Sequence, residues 1–233
     1  MCIRDRPEVF QHCKVSNIYA SDAFFADAIA NSCGAAGLLN DYLKKKGFQI
    51  KKLGKLNVSK TKSHDSSYNQ CLEIKTLNNT TKIKILWPIE QICKNKNLGD
   101  NDKSVVSLIE FAGRKILLCS DIEKVAQREL LRLFPNLKAD VVVVPHHGSA
   151  KTTEPGFLGS LDADISICSC SQAAYEKGQT INIKNSPILL CLSDDTQEAS
   201  YINLLYTAKS GAITVHIYKN GKIKAPFCRV TDY

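Results

Sequence analysis

Apolar and polar positions follow one another in patterns that predict a series of strands and helices. The clearest is a hairpin of two β-rich runs, residues 104–111 and 114–119, joined by the turn Ala112-Gly113. Residues 122–134 are predicted to form an amphipathic helix, because their apolar side chains recur on one helical face. Residues 140–144 are continuously apolar, and this lack of alternation indicates a strand buried on both faces, as in a sheet covered by helices.

The same patterns predict further elements on either side of this central part. Short strands are predicted at residues 15–20, 48–52, 71–76, 82–86, 165–169 and 188–192. A helical region is predicted between Ser21 and Gly47, with Ser21 or Asp22 as its N-cap, and a short helix is predicted at 155–161. A second hairpin is predicted at 212–227, with the turn Asn220-Gly221. Strands that alternate with helices favour an α/β fold. Without an internal repeat or linker in the sequence, residues 7–233 are predicted to form one domain.

The first six residues, Met1 to Arg6, resemble a translated sequencing adapter. We therefore expect the native sequence to begin near Pro7, with an N-terminal part of the protein missing. Residues 1–6 are left out of the fold prediction for this reason.

The composition is that of an ordinary soluble globular protein, with 44% hydrophobic and 23% charged residues. No apolar stretch approaches the roughly 20 residues needed to span a bilayer, and no charged-then-apolar signal sequence opens the chain. Ten cysteines are spread along the chain without a C-x-x-C pair. This distribution favours reduced thiols over a disulfide framework and argues against zinc-finger ligation.

The net charge of +8 is unevenly distributed, because one segment is rich in lysine. Between Asp41 and Lys62, a single acid is accompanied by Lys44, Lys45, Lys46, Lys51, Lys52, Lys55, Lys60 and Lys62. Such a segment attracts polyanions, nucleic acid among them, through the release of counterions. The alternative is a solvated helix face and loop, because runs of charge are common on exposed surfaces.

Three side chains that can bind metal follow directly on apolar runs. Asp121 ends the run Leu117-Leu118-Cys119-Ser120-Asp121, and His146 and His147 follow the apolar residues 140–144. Open α/β sheets hold their ligands at the C-terminal ends of strands, so we expect these side chains to converge at neighbouring strand ends. This geometry suits a hydrolytic metal centre.

Each candidate also has a structural alternative. Asp121 precedes an amphipathic helix, so a role as its N-cap is open, and that role is compatible with metal binding. For His146 and His147 the alternative is a pair of partly buried rings held by backbone carbonyls. Ser149 as a nucleophile has no support beyond adjacency, and a phosphate or cap contact is favoured. Glu123 is expected to be a first-turn helix charge.

Three motifs together resemble a known family. N-x-x-S at residues 101–104, S-D-I-E at 120–123 after the hairpin, and P-H-H-G-S at 145–149 after an apolar strand are similar in order and spacing to the metallo-β-lactamase-like domain of ComEC-type DNA-internalisation proteins. Residues 211–215 also resemble the closing strand of that family. The similarity is strongest over residues 101–161.

The resemblance implies an α/β fold of the αββα metallo-β-lactamase-like sandwich type, with its N-terminal part missing. It implies a hydrolase that cleaves phosphodiesters, plausibly in DNA, by metal-activated water. Asp121 and His146 are then metal ligands, and His147 is a third ligand or the catalytic contact to the substrate phosphate. The implied cofactor is a divalent metal, Zn or Mn, with two sites in the intact protein. Since ComEC proteins carry membrane spans, attachment of the intact protein to the plasma membrane is left open.

The sequence departs from the family pattern in three places. The metal motif H-x-H-x-D-H is absent, Ser120 replaces the glycine before the metal Asp, and Tyr175-Glu176-Lys177-Gly178 replaces a histidine-proline turn. Zinc needs three or four protein ligands, so we expect this fragment to bind metal poorly and to be inactive alone. The alternative is a degenerate, non-catalytic member of the family that binds nucleic acid or a protein partner.

Overall fold

The structure is a computed structural model that describes residue 15 and residues 18–52, 72–75, 80–89, 92, 98–181 and 203–225. The chain divides into two compact units, residues 1–59 and 60–233. The single domain predicted for residues 7–233 stays a prediction.

In its described residues, the first unit combines a two-stranded parallel pair with two helices. Its elements are β1 (Ile18–Ala20), α1 (Asp22–Ala30), α2 (Ala35–Lys45) and β2 (Ile50–Lys52). Ser21 is the N-cap of α1, where its hydroxyl accepts a hydrogen bond of 3.3 Å from the Phe24 N–H. One of the two predicted caps is thus confirmed, as are strands within residues 15–20 and 48–52.

A seven-stranded mixed sheet is the framework of the second unit. Its strands lie side by side in chain order: β3 (Leu72–Lys75), β4 (Thr81–Trp87), β5 (Val106–Phe111), β6 (Arg114–Leu118), β7 (Val141–Val143), β8 (Ile165–Cys168) and β9 (Asn203–Tyr206). β3 to β6 pair antiparallel, whereas β6 to β9 pair parallel. Because parallel neighbours point the same way, the C-terminal ends of β6, β7 and β8 lie together at one edge of the sheet.

The hairpin predicted from residues 104–119 is confirmed. β5 and β6 pair along their length, and Phe111 lies opposite Arg114. Ala112 and Gly113 form the turn with φ values of 51° and 77°. Positive φ at both central residues matches the twist of the flanking strands, which explains why this pair of residues closes the hairpin.

Helices and short turns connect the strands of the second unit. They are α3 (Lys124–Leu133), α4 (Phe157–Leu161), α5 (Gln172–Glu176) and α6 (Thr207–Ser210), with 3-10 turns at Asn101–Lys103 and Pro145–Gly148 and a hairpin of β10 (His216–Ile217) and β11 (Ile223–Lys224). α3 confirms the amphipathic helix predicted at 122–134, since its residues Ala126 and Leu130 are fully buried. α4 confirms the short helix predicted at 155–161.

β7 is buried on both of its faces. Val141 and Val142 are consecutive, so their side chains point to opposite faces, and their exposed fractions are 2% and 0%. Val142 shares one hydrophobic core with Leu117 of β6, Leu130 of α3 and Phe157 of α4. The α/β class with a central mixed sheet is therefore confirmed. An αββα sandwich stacks two large sheets. The described residues include one large sheet, the seven-stranded one.

Some elements differ from those predicted. β9 was not predicted, because a short apolar run does not distinguish a strand from a buried helix segment. α5 and α6 were not predicted either, because helices of five and four residues are too short to show a helical repeat of apolar positions. The hairpin predicted at 212–227 is present with two short strands. Residues 211–215 lie between α6 and β10 rather than in a strand, because Gly211, with a φ of 65°, turns the chain there. The strand predicted at 188–192 lies outside the described residues.

Membrane-spanning segments were not expected from the sequence. Within the described part of the chain, no helix combines the length and the hydropathy of a bilayer span.

An ion pair joins the residue before β7 to the start of β6. The Arg114 guanidinium donates to Asp140 Oδ1 over 2.7 Å, and the Lys115 N–H donates to Asp140 Oδ2 over 2.7 Å. Burial raises the pKa of the Asp140 carboxyl, but the hydrogen bonds from Lys115 and Arg114 and the charge of Arg114 outweigh burial. The net result is a pKa below the ordinary value of an aspartate.

Asp140→Asn is expected to lower the free energy of unfolding by about 1 kcal/mol near neutral pH, because Arg114 loses its charged partner. Since the pKa is lower in the folded state, the stabilisation is complete above the unfolded pKa of about 4 and is lost as the pH falls through the folded pKa. Urea titrations near neutral pH and below about pH 3 measure this change. Asp41→Asn, at an exposed position of α2, is the control. A loss that does not shrink at acidic pH would contradict the role of the ion pair.

Candidate functional site

The predicted site lies where β6 and β7 end. Asp121 follows closely on β6, and His146 and His147 lie in the 3-10 turn Pro145–Gly148 that follows β7. β6 and β7 are hydrogen-bonded parallel neighbours. The structure therefore brings the two segments to the same edge of the sheet, as expected from the sequence.

The turn between β6 and Asp121 has a backbone conformation that favours glycine. Ser120 has a φ of 51°, in the left-handed region that costs a side chain about 1–2 kcal/mol. Its hydroxyl donates a hydrogen bond of 2.6 Å to the Val105 carbonyl, and its carbonyl accepts one of 2.9 Å from the His146 N–H. The turn thus forms without a glycine at position 120, and it ties the end of β6 to the histidine segment.

The histidine segment has three successive residues with positive φ. The φ values are 47° at His146, 54° at His147 and 71° at Gly148. A Cβ on Gly148 would overlap with the Sγ of Cys168, whose thiol donates to the His147 carbonyl over 3.3 Å. Strained backbone of this kind concentrates at functional sites. Here the close packing of Gly148 on β8 holds it in place.

Asp121 and His147 face each other at the strand ends. Asp121 Oδ1 lies 3.7 Å from His147 Nε2, and the side chains are 51% and 56% exposed, so both are open to a ligand. His147 Nδ1 lies 2.9 Å from the Ser169 carbonyl. A carbonyl only accepts, so Nδ1 carries the hydrogen and Nε2 of the neutral ring has a free lone pair. The contact with Ser169 fixes the orientation of the His147 ring, and the predicted convergence in space is confirmed for this pair.

His146 lies beside a different carboxylate. Its Nδ1 is 3.2 Å from Glu123 Oε1, and its ring centroid is 6.5 Å from that of His147. Asn101 Nδ2 donates to the same Glu123 oxygen over 2.9 Å. The two histidines therefore belong to separate pairs, Asp121 with His147 and Glu123 with His146. From the sequence, Glu123 is predicted only as a charge at the start of a helix. Its contacts with His146 and Asn101 depend on tertiary structure, so the sequence does not predict them.

A buried carboxylate caps the helix that follows the site. Asp102 is 3% exposed, and its Oδ1 accepts hydrogen bonds from the N–H groups of Glu123 (2.8 Å) and Ala126 (3.0 Å). Glu123, not Asp121, is the N-cap residue of α3. The alternative role of Asp121 as the helix cap is therefore wrong, and its carboxylate is left to face His147.

The geometry of the Asp121–His147 pair fits two ligands of one divalent ion. Bonds of about 2.0–2.1 Å to a tetrahedral ion place two donor atoms roughly 3.4 Å apart, close to the observed separation. No cluster of three or more His, Cys, Asp or Glu side chains that could hold a metal occurs among the residues the structure describes. Burial raises the pKa of the Cys119 and Cys168 thiols and favours their protonated forms. Asp121 and His147 alone are fewer than the three or four protein ligands that zinc needs.

Comparison with known proteins relates the chain to bacterial competence proteins. It is 38% identical to ComE operon protein 3 of Bacillus subtilis (strain 168) over 72 residues, which are 31% of this chain and 9% of that protein. It is 28% identical to competence protein ComA of Neisseria gonorrhoeae over 141 residues, 60% of this chain and 19% of that protein. The resemblance to ComEC-type proteins is confirmed. The chain spans about a tenth and about a fifth of the lengths of these relatives.

Two further comparisons complete this result. No protein-family model matches the chain. A metallo-β-lactamase superfamily protein from Thermotoga maritima is similar in structure with a TM-score of 0.31 and 16% identity, over 68% of this chain and 72% of that one. The relation to ComEC-type proteins rests on the sequence similarity to the two competence proteins.

Proposed function

We propose that the chain is part of a metal-dependent hydrolase of the metallo-β-lactamase type, with its metal site at the ends of β6 and β7. The observation that carries this proposal is the pair of donor atoms Asp121 Oδ1 and His147 Nε2, 3.7 Å apart and open to solvent. In the proposal both residues are metal ligands. The hydrogen bond from His147 Nδ1 to the Ser169 carbonyl supports the role of Nε2, because it fixes the ring for ligation.

The proposed substrate is a phosphodiester. DNA is the class that the similarity to DNA-internalisation proteins favours. A divalent metal supplies the chemistry by lowering the pKa of bound water toward about 7, which makes hydroxide available at neutral pH. This chain's contribution is to hold the ion with Asp121 and His147, and the packing of Gly148 against Cys168 of β8 keeps the histidine segment in place. Zinc and manganese both suit a donor set of imidazole and carboxylate.

Tight metal binding needs at least one ligand beyond Asp121 and His147. We propose that this ligand comes from outside the described residues, since the curated relatives extend far beyond the matched region. His146 remains a candidate third ligand, but its Nδ1 lies next to Glu123. Its Nε2 is therefore the nitrogen available for a ligand.

Asp121→Ala is expected to weaken zinc binding by more than roughly tenfold. Removing a residue that only supports a ligand costs roughly tenfold, and this substitution removes a proposed direct ligand. Competition with a chromophoric chelator measures the dissociation constants for zinc and manganese. Asp100→Ala is the matched control, since the Asp100 side chain is fully exposed at 100%, and it is expected to leave both constants unchanged. Equal affinity of wild type and Asp121→Ala would refute the proposed metal site.

A second candidate is a non-catalytic module that binds nucleic acid through the lysine-rich segment. The described lysines of that segment are exposed: Lys44, Lys45, Lys46, Lys51 and Lys52. The Lys46 ammonium lies 5.9 Å from the centroid of the Tyr42 ring, and surfaces that bind single strands combine cations with aromatic rings. Oligonucleotide binding that survives both metal removal and Asp121→Ala would favour this candidate over the enzyme.

A further inference from the structure

The Nδ1 atoms of the two histidine rings have different surroundings. His147 Nδ1 is hydrogen-bonded to a neutral carbonyl, that of Ser169. Among the described residues, His146 Nδ1 is buried and has no partner with hydrogen-bond geometry, yet a carboxylate oxygen of Glu123 lies only 3.2 Å away. A small rotation of either side chain completes a hydrogen bond at this distance. The Glu123 carboxylate is therefore placed to accept from His146 Nδ1.

Glu123 is itself held from two sides. Its Oε1 accepts a hydrogen bond of 2.9 Å from Asn101 Nδ2, and its backbone N–H donates to the buried Asp102 over 2.8 Å. As the N-cap residue of α3, it is also fixed by the start of a helix. These contacts restrict the carboxylate to the neighbourhood of His146.

The orientation of the His146 ring follows from which of its edges is buried. The side chain is 29% exposed, while its Nδ1 is buried. The exposed part of the ring therefore lies away from Nδ1. With Nδ1–H directed at Glu123, Nε2 is the nitrogen left to meet a ligand.

We propose that Glu123, anchored by Asn101, is a positioning residue that turns His146 so that its Nε2 faces a phosphoryl group bound at the Asp121–His147 pair. The proposal rests on the proposed function for the identity of the bound group. It assigns the two histidines separate tasks: His147 binds the metal with Asp121, and His146 contacts the phosphoryl oxygens. The orientation of His146 belongs to the protein itself, so it is present without metal.

The first test is the tautomer of His146 in the metal-free protein, read from nitrogen-15 NMR spectra at mildly alkaline pH and assigned with His146→Gln. The Nδ1–H form is expected to exceed the Nε2–H form by roughly tenfold in the wild type, as for a hydrogen bond to a charged acceptor. Glu123→Ala is expected to abolish this preference. Glu123→Gln is expected to restore most of it, because its amide oxygen still accepts. His147 serves as the internal control and is expected to keep its tautomer in all three proteins.

The second test is the response of His146 to inorganic phosphate added to the zinc-loaded protein. The Nε2 resonance is expected to move in the wild type, with roughly tenfold weaker phosphate affinity in Glu123→Ala. An unchanged His146 tautomer in Glu123→Ala would overturn the positioning role, and zinc uptake without any phosphate response of His146 would overturn its contact with the ligand. Failure of zinc to bind would count against the proposed function alone, because the tautomer is measured without metal.

Discussion

Gly148→Ala is expected to lower the free energy of unfolding of the second unit by about 2–5 kcal/mol, from two contributions that add. Gly148 has a φ of 71°, where a side chain costs about 1–2 kcal/mol. The new methyl group would also overlap with the fully buried Sγ of Cys168, and overpacking a core costs about 1–3 kcal/mol. Urea unfolding followed by the fluorescence of Trp87, the single tryptophan of the chain, measures the loss.

Gly178→Ala is the matched control for the backbone contribution. Gly178 has a φ of 62°, and within the described residues no atom lies within 4 Å of a Cβ built there. The loss for Gly178→Ala is therefore expected to be about 1–2 kcal/mol, the strain alone. Adding Cys168→Ala to Gly148→Ala removes the overlapping sulfur and is expected to recover part of the loss. Equal losses of unfolding free energy for Gly148→Ala and Gly178→Ala would show that Cys168 makes room for the new methyl group without destabilising the protein.

Asp102→Ala is expected to lower the free energy of unfolding by about 2–4 kcal/mol, because two N–H groups at the buried start of α3 lose their acceptor. These are the N–H groups of Glu123 and Ala126. The Asp102 carbonyl also accepts a hydrogen bond of 2.6 Å from the Trp87 indole, so loosening this segment disturbs the core beside the ring. Urea unfolding gives the free energy, and near-ultraviolet circular dichroism reports the packing of Trp87.

Asp102→Asn distinguishes the cap from the mere presence of a side chain. The amide oxygen of asparagine still accepts, and asparagine is among the favoured caps, so a loss of about 1 kcal/mol or less is expected. Should Asn and Ala destabilise the protein equally, capping by Asp102 would not be what stabilises the start of α3.

The meeting of Asp121 and His147 was predictable because it follows from strand order. Each residue comes just after an apolar run, and parallel neighbours end at the same edge of a sheet. The assignment of each histidine to its own carboxylate was not predictable. It depends on Asn101 and Glu123, whose side chains meet only after the 3-10 turn and α3 have packed together. The cap from Asp102 to Glu123 is hidden for the same reason, since it joins residues that are distant in sequence.

Ser120 illustrates how a local rule is overridden by tertiary structure. From the sequence, the loss of the family's glycine predicts a weakened turn, because left-handed backbone disfavours a side chain. In the structure Ser120 adopts that backbone, and its hydroxyl donates to Val105. A hydrogen bond of this kind contributes about 0.5–1.5 kcal/mol, comparable to the strain it accompanies. The acceptor is a backbone carbonyl, so the residue type at position 105 does not predict this hydrogen bond.

The change from antiparallel to parallel pairing at β6 has a consequence for the order in which the chain folds. The hairpin of β5 and β6 closes over a few residues, whereas β7 reaches β6 only after a helical crossover, and long closures are slower. Asp121 stands on the early side of that boundary and His147 on the late side. A nascent chain that has emerged only as far as α3 thus carries the hairpin and Asp121 without His147, so the two side chains meet only after β7 has paired with β6.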